Sequence, residues 1–302
     1  MFPIFMYRLY LSLLFCLFTL PILAQEDSSL LNELMLDAKP GSKRVDYTFK
    51  DTRLINFHTT EVLGARELDF RISHRFGNLN SGADGFYGLD GGASILIGLE
   101  YSYNGRLMVG LNRSNINKMV SSFLKYKLLY QTEDNRMPVS VSLLAQSGIT
   151  SIRDPQKTEF FNTSDRLNYV YQVMISRKFN DWLSIQLSPT YIHYNIVQRI
   201  DQSNAVLATA FVSRFRYNVR SAVTLEYGAR INRFLPETNT KFDKYTNSLS
   251  IGWEKETGGH VFSMHLSNSL GINEATNFAY TTDKWSNGGI RIGFNIRRVF
   301  SL

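Results

Sequence analysis

The chain of 302 residues contains a single cysteine, Cys16, and it lies within an N-terminal apolar stretch. If that stretch is removed, disulfides, thiolate nucleophiles and Cys-based metal sites are all excluded. Beyond it there is no second long apolar run, so no helical membrane span is available, which would need about 20 residues. The sustained apolar periodicity of the helices in an α/β domain is also missing. The net charge is only +7 and no Lys/Arg run occurs, which argues against a nucleic-acid surface.

The start of the chain is expected to be an export signal. Arg8 precedes LYLSLLFCLFTLPIL, and Ala24 and Gln25 follow. A positive start, a short apolar run and a small residue at the break describe a secretory signal peptide. Cleavage is expected after Ala24, giving a signal peptide over 1–24 and a polar leader over 25–44. Phe15 before Cys16 argues against a lipoprotein site.

The rest of the sequence alternates. In ELDFRISHRF (67–76), Leu68, Phe70, Ile72 and Phe76 share one face with His74, and Glu67, Asp69, Arg71, Ser73 and Arg75 share the other. The same period of two recurs around 94–103, 106–112, 120–130, 138–150, 166–179, 182–194, 205–217, 221–232, 243–255, 260–270 and 287–298. That makes twelve strands. Several connections are tight, at Asn104-Gly105, Asn180-Asp181, Asn218 to Arg220 and Glu256 to Gly259, and they alternate with longer ones such as 77–92, 151–165 and 271–286. Tight and long connections in alternation describe a transmembrane barrel with periplasmic turns and outer loops. The connections after the third and fourth strands are of similar length and blur this register.

A soluble β-sandwich is the competing reading. The strands are long for it, and aromatics gather at strand ends, including Tyr126, Tyr130, Phe179, Trp182, Tyr191, Tyr194, Phe215, Tyr217, Tyr245 and Trp253. Such rings form interfacial girdles in membrane barrels. The last strand, GIRIGFNIRRVF, ends near Phe300 like the signal read by the outer-membrane assembly machinery. The expected fold is an all-β, transmembrane, antiparallel up-and-down barrel of about twelve strands over 65–302. It is expected to be a monomer in outer-membrane lipid with no cofactor. Residues 45–64 alternate like a strand, but a thirteenth strand would spoil the parity, so they are expected to form a plug or pre-barrel segment.

The ordered stretches TFKDTRLINFHTTEV (48–62), LDFRISHRFG (68–77), NSGADGFYGLD (80–90), RLMVGLNRS (106–114) and FLKYKLLYQ (123–131) resemble a Bacteroidota family of outer-membrane β-barrels of unknown function. The resemblance covers roughly 45–302. It implies a barrel in the outer membrane and supplies no catalytic residues. Phe57 stands where the family pattern has Gly, so the resemblance does not supply a tight turn there.

Alternation sends a predominantly basic set of side chains inward. Lumen-lining candidates are Glu67, Asp69, Arg71, Arg75, Glu100, Lys125, Lys127, Glu226, Arg230 and Arg291. A basic lining selects anions, whereas a salt-bridge network filling a small barrel conducts nothing. In the loop 77–92, Gly, Asn and Asp supply bends. Asp84, Phe86, Tyr87 and Asp90 are candidates for an inward constriction, and the spacing of the two acids does not match an EF-hand. His265-Leu266-Ser267-Asn268 resembles the His-x-Ser-Asn of outer-membrane phospholipase A, in which the His would activate the Ser. Alternation turns this pair inward, away from lipid, and no metal-ligand spacing joins His58, His74, His193 and His260. The expected function is therefore a passive or gated channel for a small solute, an anion if the basic lining selects. The alternatives are a non-conducting envelope scaffold, or partner of a periplasmic system, and a lipid-active enzyme.

Overall fold

A computed structural model describes residues 43–156, 160–197, 202–232, 245–257 and 260–302. The expected signal peptide, the leader up to residue 42 and Gly258-Gly259 of one expected turn lie outside the described residues. Twelve strands form one closed antiparallel barrel: β1 (Glu67–Asn78), β2 (Ser94–Ser102), β3 (Leu107–Ser114), β4 (Met119–Leu129), β5 (Ser140–Thr150), β6 (Leu167–Lys178), β7 (Leu183–Tyr194), β8 (Ala205–Asn218), β9 (Ser221–Arg230), β10 (Ser248–Thr257), β11 (His260–Ser267) and β12 (Arg291–Ser301). Each strand pairs with its chain neighbours, and β12 closes on β1 with Ile72 opposite Ile296. One short helix, α1 (Glu274–Tyr280), lies between β11 and β12. Among the described residues no helix is long and apolar enough to cross a membrane.

The period of two determines the two faces. In β1, Asp69, Arg71, Ser73 and Arg75 are buried in the lumen while Phe70 is exposed outward. Leu99, Val109, Leu111 and Leu124 are likewise exposed on neighbouring strands. Exchanging the faces would place charges in lipid, at about 2–4 kcal/mol for each mid-depth Arg.

Both described ends of the barrel chain, Glu67 and Ser301, are paired at one end of the barrel. The tight turns lie at that same end, and three of them use one device. Asn104 Oδ1 accepts from the amides of Arg106 (3.0 Å) and Leu107 (2.8 Å). Asn180 Oδ1 accepts from Trp182 (3.0 Å) and Leu183 (2.8 Å). Asn218 Oδ1 accepts from Arg220 (2.9 Å). An Asn side chain thus satisfies amides that the reversal would leave unpaired. By the outer-membrane pattern of tight turns this end is periplasmic.

Two strand starts differ from expectation: β10 begins at Ser248 and β12 at Arg291. Two expected girdle residues are also displaced. Tyr194 is buried in the lumen, where its hydroxyl donates to the Ala275 carbonyl (2.7 Å), and Tyr245 packs edge-on against Tyr280 at 5.9 Å. Phe179, Trp182, Phe215, Tyr217 and Trp253 stay exposed near the periplasmic end, with Trp253 Nε1 donating to Tyr217 (2.7 Å).

Candidate functional site

Residues 43–45 pair with the connection between β4 and β5. The Val45 amide donates to the Gln131 carbonyl and the Glu133 amide to the Lys43 carbonyl, both at 2.9 Å. This pairing explains why that connection is longer than the other periplasmic turns. The chain then enters the lumen, and every residue from 48 to 61 except Lys50 is buried. It reverses at 54–57, where the Leu54 amide donates to the Phe57 carbonyl (3.1 Å) and the Thr59 amide to Thr52 (2.9 Å). The result is an internal hairpin over 48–63.

Its tip holds neither Gly nor Pro, so its amides need another acceptor. Glu226 of β9 supplies one. Its carboxylate accepts from the amides of Ile55 (2.8 Å), Asn56 (2.8 Å) and Phe57 (3.2 Å). Such charge-assisted bonds contribute about 1.5–3 kcal/mol each. From β1, Arg75 donates to the Ile55 carbonyl (3.2 Å) and to Asn56 Oδ1 (3.0 Å).

Ion pairs hold the legs. Asp51 lies against Arg71 of β1 and Arg297 of β12, the latter at 3.1 Å. Thr52 donates to Glu100 of β2 (2.7 Å), and Lys125 of β4 donates to the Thr52 carbonyl (3.1 Å). Arg53 faces Glu100 at 3.7 Å and Glu274 of α1 at 3.4 Å. Glu61 pairs with Lys127 of β4 at 3.0 Å. Burial alone would raise the Asp51 carboxyl, but Arg297 and Arg71 outweigh it and hold it at about 2. For His58 burial acts together with the charges of Arg53, Lys125 and Arg71, so its imidazole lies well below the ordinary range and is neutral.

The opposite wall is largely apolar, with Ser176 and Gln186 as its polar contacts to Thr60. Phe49, Leu54 and Phe57 pack with Val170 of β6, Ile192 and Tyr194 of β7, and Val206, Ala208, Ala210 and Val212 of β8. Helix α1 enters from the outer end and completes this cluster with Ala275, Phe278 and Ala279. Its N-cap Asn273 accepts from the Thr276 amide (2.9 Å). Phe278 stacks on Phe57 at 4.7 Å, and Glu274 accepts from the His58 amide (3.1 Å). Hairpin and helix therefore meet inside the barrel. Glycines on the wall make room: a Cβ on Gly228 would lie 2.7 Å from the Phe57 ring, and one on Gly252 would lie 3.0 Å from Ile55. Glycine within a strand often marks such a close approach.

Of the inward candidates, Asp69, Arg71, Arg75, Glu100, Lys125, Lys127 and Glu226 are brought together around the hairpin. Glu67 lies at the rim instead, where its carboxylate accepts from the Gly64 amide (2.7 Å) and turns the chain into β1. Arg230 and Arg291 lie at the outer end. Arg230 stands over the Tyr245 ring at 5.4 Å, and Arg291 pairs with Asp283. The constriction candidates of 77–92, Asp84, Phe86, Tyr87 and Asp90, are exposed at the outer end. The loop folds on itself there, with Gly77 and Gly88 so close that a Cβ on Gly77 would lie 2.9 Å from the Gly88 carbonyl. Sequence reasoning missed Asp51, Arg53, Asn56, Glu61 and Glu274 as functional residues. The inward glycines Gly228 and Gly252 were the available signal.

His265 and Ser267 are buried in the lumen, and no hydrogen bond joins them. Ser267 Oγ accepts from the Ser250 hydroxyl (2.8 Å) and the Ser269 amide (3.0 Å), while both His265 nitrogens lack partners.

Residues 49–300 match the family model described as "Membrane bound beta barrel domain (DUF5777)". No curated protein matches the sequence. Among solved structures, the NanC porin is 10% identical, covering 78% of this chain and 99% of its own, with a TM-score of 0.46. The KdgM porin is 7% identical over 78% and 99% of the two chains, with a TM-score of 0.44. LpxR from Salmonella typhimurium is 10% identical over 78% and 100%, with a TM-score of 0.36. The chain belongs to the membrane bound beta barrel domain family DUF5777 and is a closed β-barrel of the bacterial outer membrane.

Proposed function

We propose that the protein is a monomeric gated channel for small anions whose resting state is closed by the hairpin 48–63, acting as a plug. The observation that carries this reading is the chemistry of the plug's seat. A static filler is stabilised best by apolar residues, because a buried ion pair roughly breaks even against the hydration it replaces. This hairpin is held at its tip and legs by Glu226, Arg71, Glu100, Lys125 and Lys127, all of which regain water when it leaves. The chain passes from the plug into β1 at the periplasmic rim, so withdrawal toward the periplasm leaves the barrel paired.

The charge left behind supports anion passage. Among the described residues the wall buries six cationic side chains, Arg71, Arg75, Lys125, Lys127, Arg214 and Arg291, against four carboxylates, Asp69, Glu100, Glu226 and Glu254, and helix α1 adds a fifth, Glu274. The hairpin carries Asp51 and Glu61 against Lys50 and Arg53, so its departure leaves the net charge of the lumen unchanged and frees the wall cations it had paired, Arg71, Arg297 and Lys127.

Planar-bilayer recording across a salt gradient tests the reading. The full chain should be mostly silent, and deletion of 48–61 should give steady, anion-preferring conductance. Silence in both forms would favour a second reading, a non-conducting scaffold. The apolar cluster that joins the plug to α1 is the observation on that side.

A further inference from the structure

A polar cavity of about 420 Å³ opens at the periplasmic end, between the entry of the hairpin and the ends of β6, β7 and β8. Its size is that of a small-molecule pocket. Four cations line it, Lys50 from the hairpin, Lys178 from β6, and Arg214 and Arg216 from β8, against two carboxylates, Asp46 and Asp181. Arg214 is committed to Glu254 at 2.7 Å. The other three have weak counter-ions. Lys178 and Arg216 share one oxygen of Asp181, at 3.1 and 3.7 Å, and the Asp181 side chain is 82% exposed. Lys50 meets Glu256 at 3.4 Å, with both side chains about one-third exposed. Exposed pairs of this kind contribute little, so a better anion can displace them.

Two further features connect the cavity to the hairpin. Tyr47 lines it and has φ of +24°, a backbone state that few non-glycine residues adopt. Lys50 lies over the Tyr47 ring at 5.3 Å. The residues that open the hairpin are thus one wall of the cavity, and the barrel supplies the other.

We propose that this cavity binds a small doubly charged oxyanion, of the size of a dicarboxylate or a phosphate ester, which bridges Lys50 of the hairpin to Lys178 and Arg216 of the barrel. Such a ligand replaces Asp181 as the partner of two cations and draws in the third. Its consequence for conductance, a hairpin clamped against withdrawal, rests on the gated-channel reading above; its binding does not.

Trp182 lines the same cavity and supplies the signal. The refolded full chain in detergent micelles is titrated with succinate and with inorganic phosphate at constant ionic strength, chloride serving as the matched control. A saturable change in tryptophan fluorescence is expected with both dianions and not with chloride, and it should vanish in Trp182→Phe. Lys178→Ala combined with Arg216→Ala should weaken binding at least tenfold, and Lys50→Ala several-fold. Asp181→Asn, which removes the competing carboxylate and leaves every cation in place, should tighten it. No saturable change in the wild type overturns the site, and unaltered affinity in Lys50→Ala overturns the bridge. Bilayer recording on the same preparations separates the two ideas. A barrel that binds succinate but never conducts keeps the site and removes the gate, and a barrel that opens but shows no saturable signal does the reverse.

Discussion

The two sides of the lumen hold the same hairpin by different physics. Toward β1, β2, β4, β9 and β12 the contacts are carboxylates, guanidinium groups and ammonium groups, as in Asp51 with Arg297 and Glu61 with Lys127. Toward β6, β7 and β8 the contacts carry no charge: Phe49, Leu54 and Phe57 lie on apolar side chains, and Thr60 meets Ser176 and Gln186. The ionic side specifies position, because a misplaced charge stays unpaired in a dry site. The apolar side adds favourable burial with little directionality. A plug seated only on apolar surface would be hard to withdraw, and one seated only on charges would gain little from closing.

The largest effect should come from the ionic side. Glu226→Ala strands three backbone amides at the hairpin tip and leaves Arg75 without its buried counter-charge. Closure should weaken by about 3–5 kcal/mol, and bilayer recordings should show a persistently open state. Phe57→Ala, on the apolar side, leaves a cavity against Phe278 and should weaken closure by about 3 kcal/mol. The two should differ in how they can be repaired. Lys127→Met alone should shift closure by about 2 kcal/mol by leaving Glu61 unpaired. Adding Glu61→Gln, which retains an acceptor for the Thr48 amide, should restore closure to within about 1 kcal/mol of wild type. No second truncation should repair Phe57→Ala, since adding Phe278→Ala only enlarges the void. Protease protection of the 48–61 segment is an independent readout for all of these variants.

The smallest effect is a pH dependence. The closed state holds His58 neutral, and the open, hydrated state would protonate it near its ordinary value of 6.5. The closed state therefore binds fewer protons. Its stability is complete above that value and declines as the pH falls below it. Between pH 7.5 and 5.5 the open fraction should rise by up to about tenfold, or about 1.4 kcal/mol, and His58→Gln should flatten that rise. Asp51 adds a second loss only as the pH falls from 3.8 toward about 2.

The barrel itself was largely legible in the sequence. Alternation places side chains on two faces regardless of partner, so Phe70 outward and Arg71 inward could be read from one strand. Asn104-Gly105 and Asn180-Asp181 announce their turns by local chemistry. The connections 115–118 and 130–139 broke the length pattern, and the second did so because it pairs with residues 43–45. The hairpin was harder to read. Its alternation is that of any extended chain, and its acceptor Glu226 lies 171 residues beyond Ile55, a distance no local rule spans. At 77–92 composition announced the bends: the loop folds on itself at Gly77 and Gly88, with Phe86 and Tyr87 exposed.

The central claim is that moving the hairpin opens the pore. Thr60 Oγ1 and Ser176 Oγ of β6 lie 2.5 Å apart, so Thr60→Cys with Ser176→Cys, in a Cys16→Ser background, can lock hairpin to wall. Single-channel recording at pH 5.5 should find the oxidised protein silent, with conductance appearing on reduction. Equal conductance in the oxidised and reduced states would contradict the account.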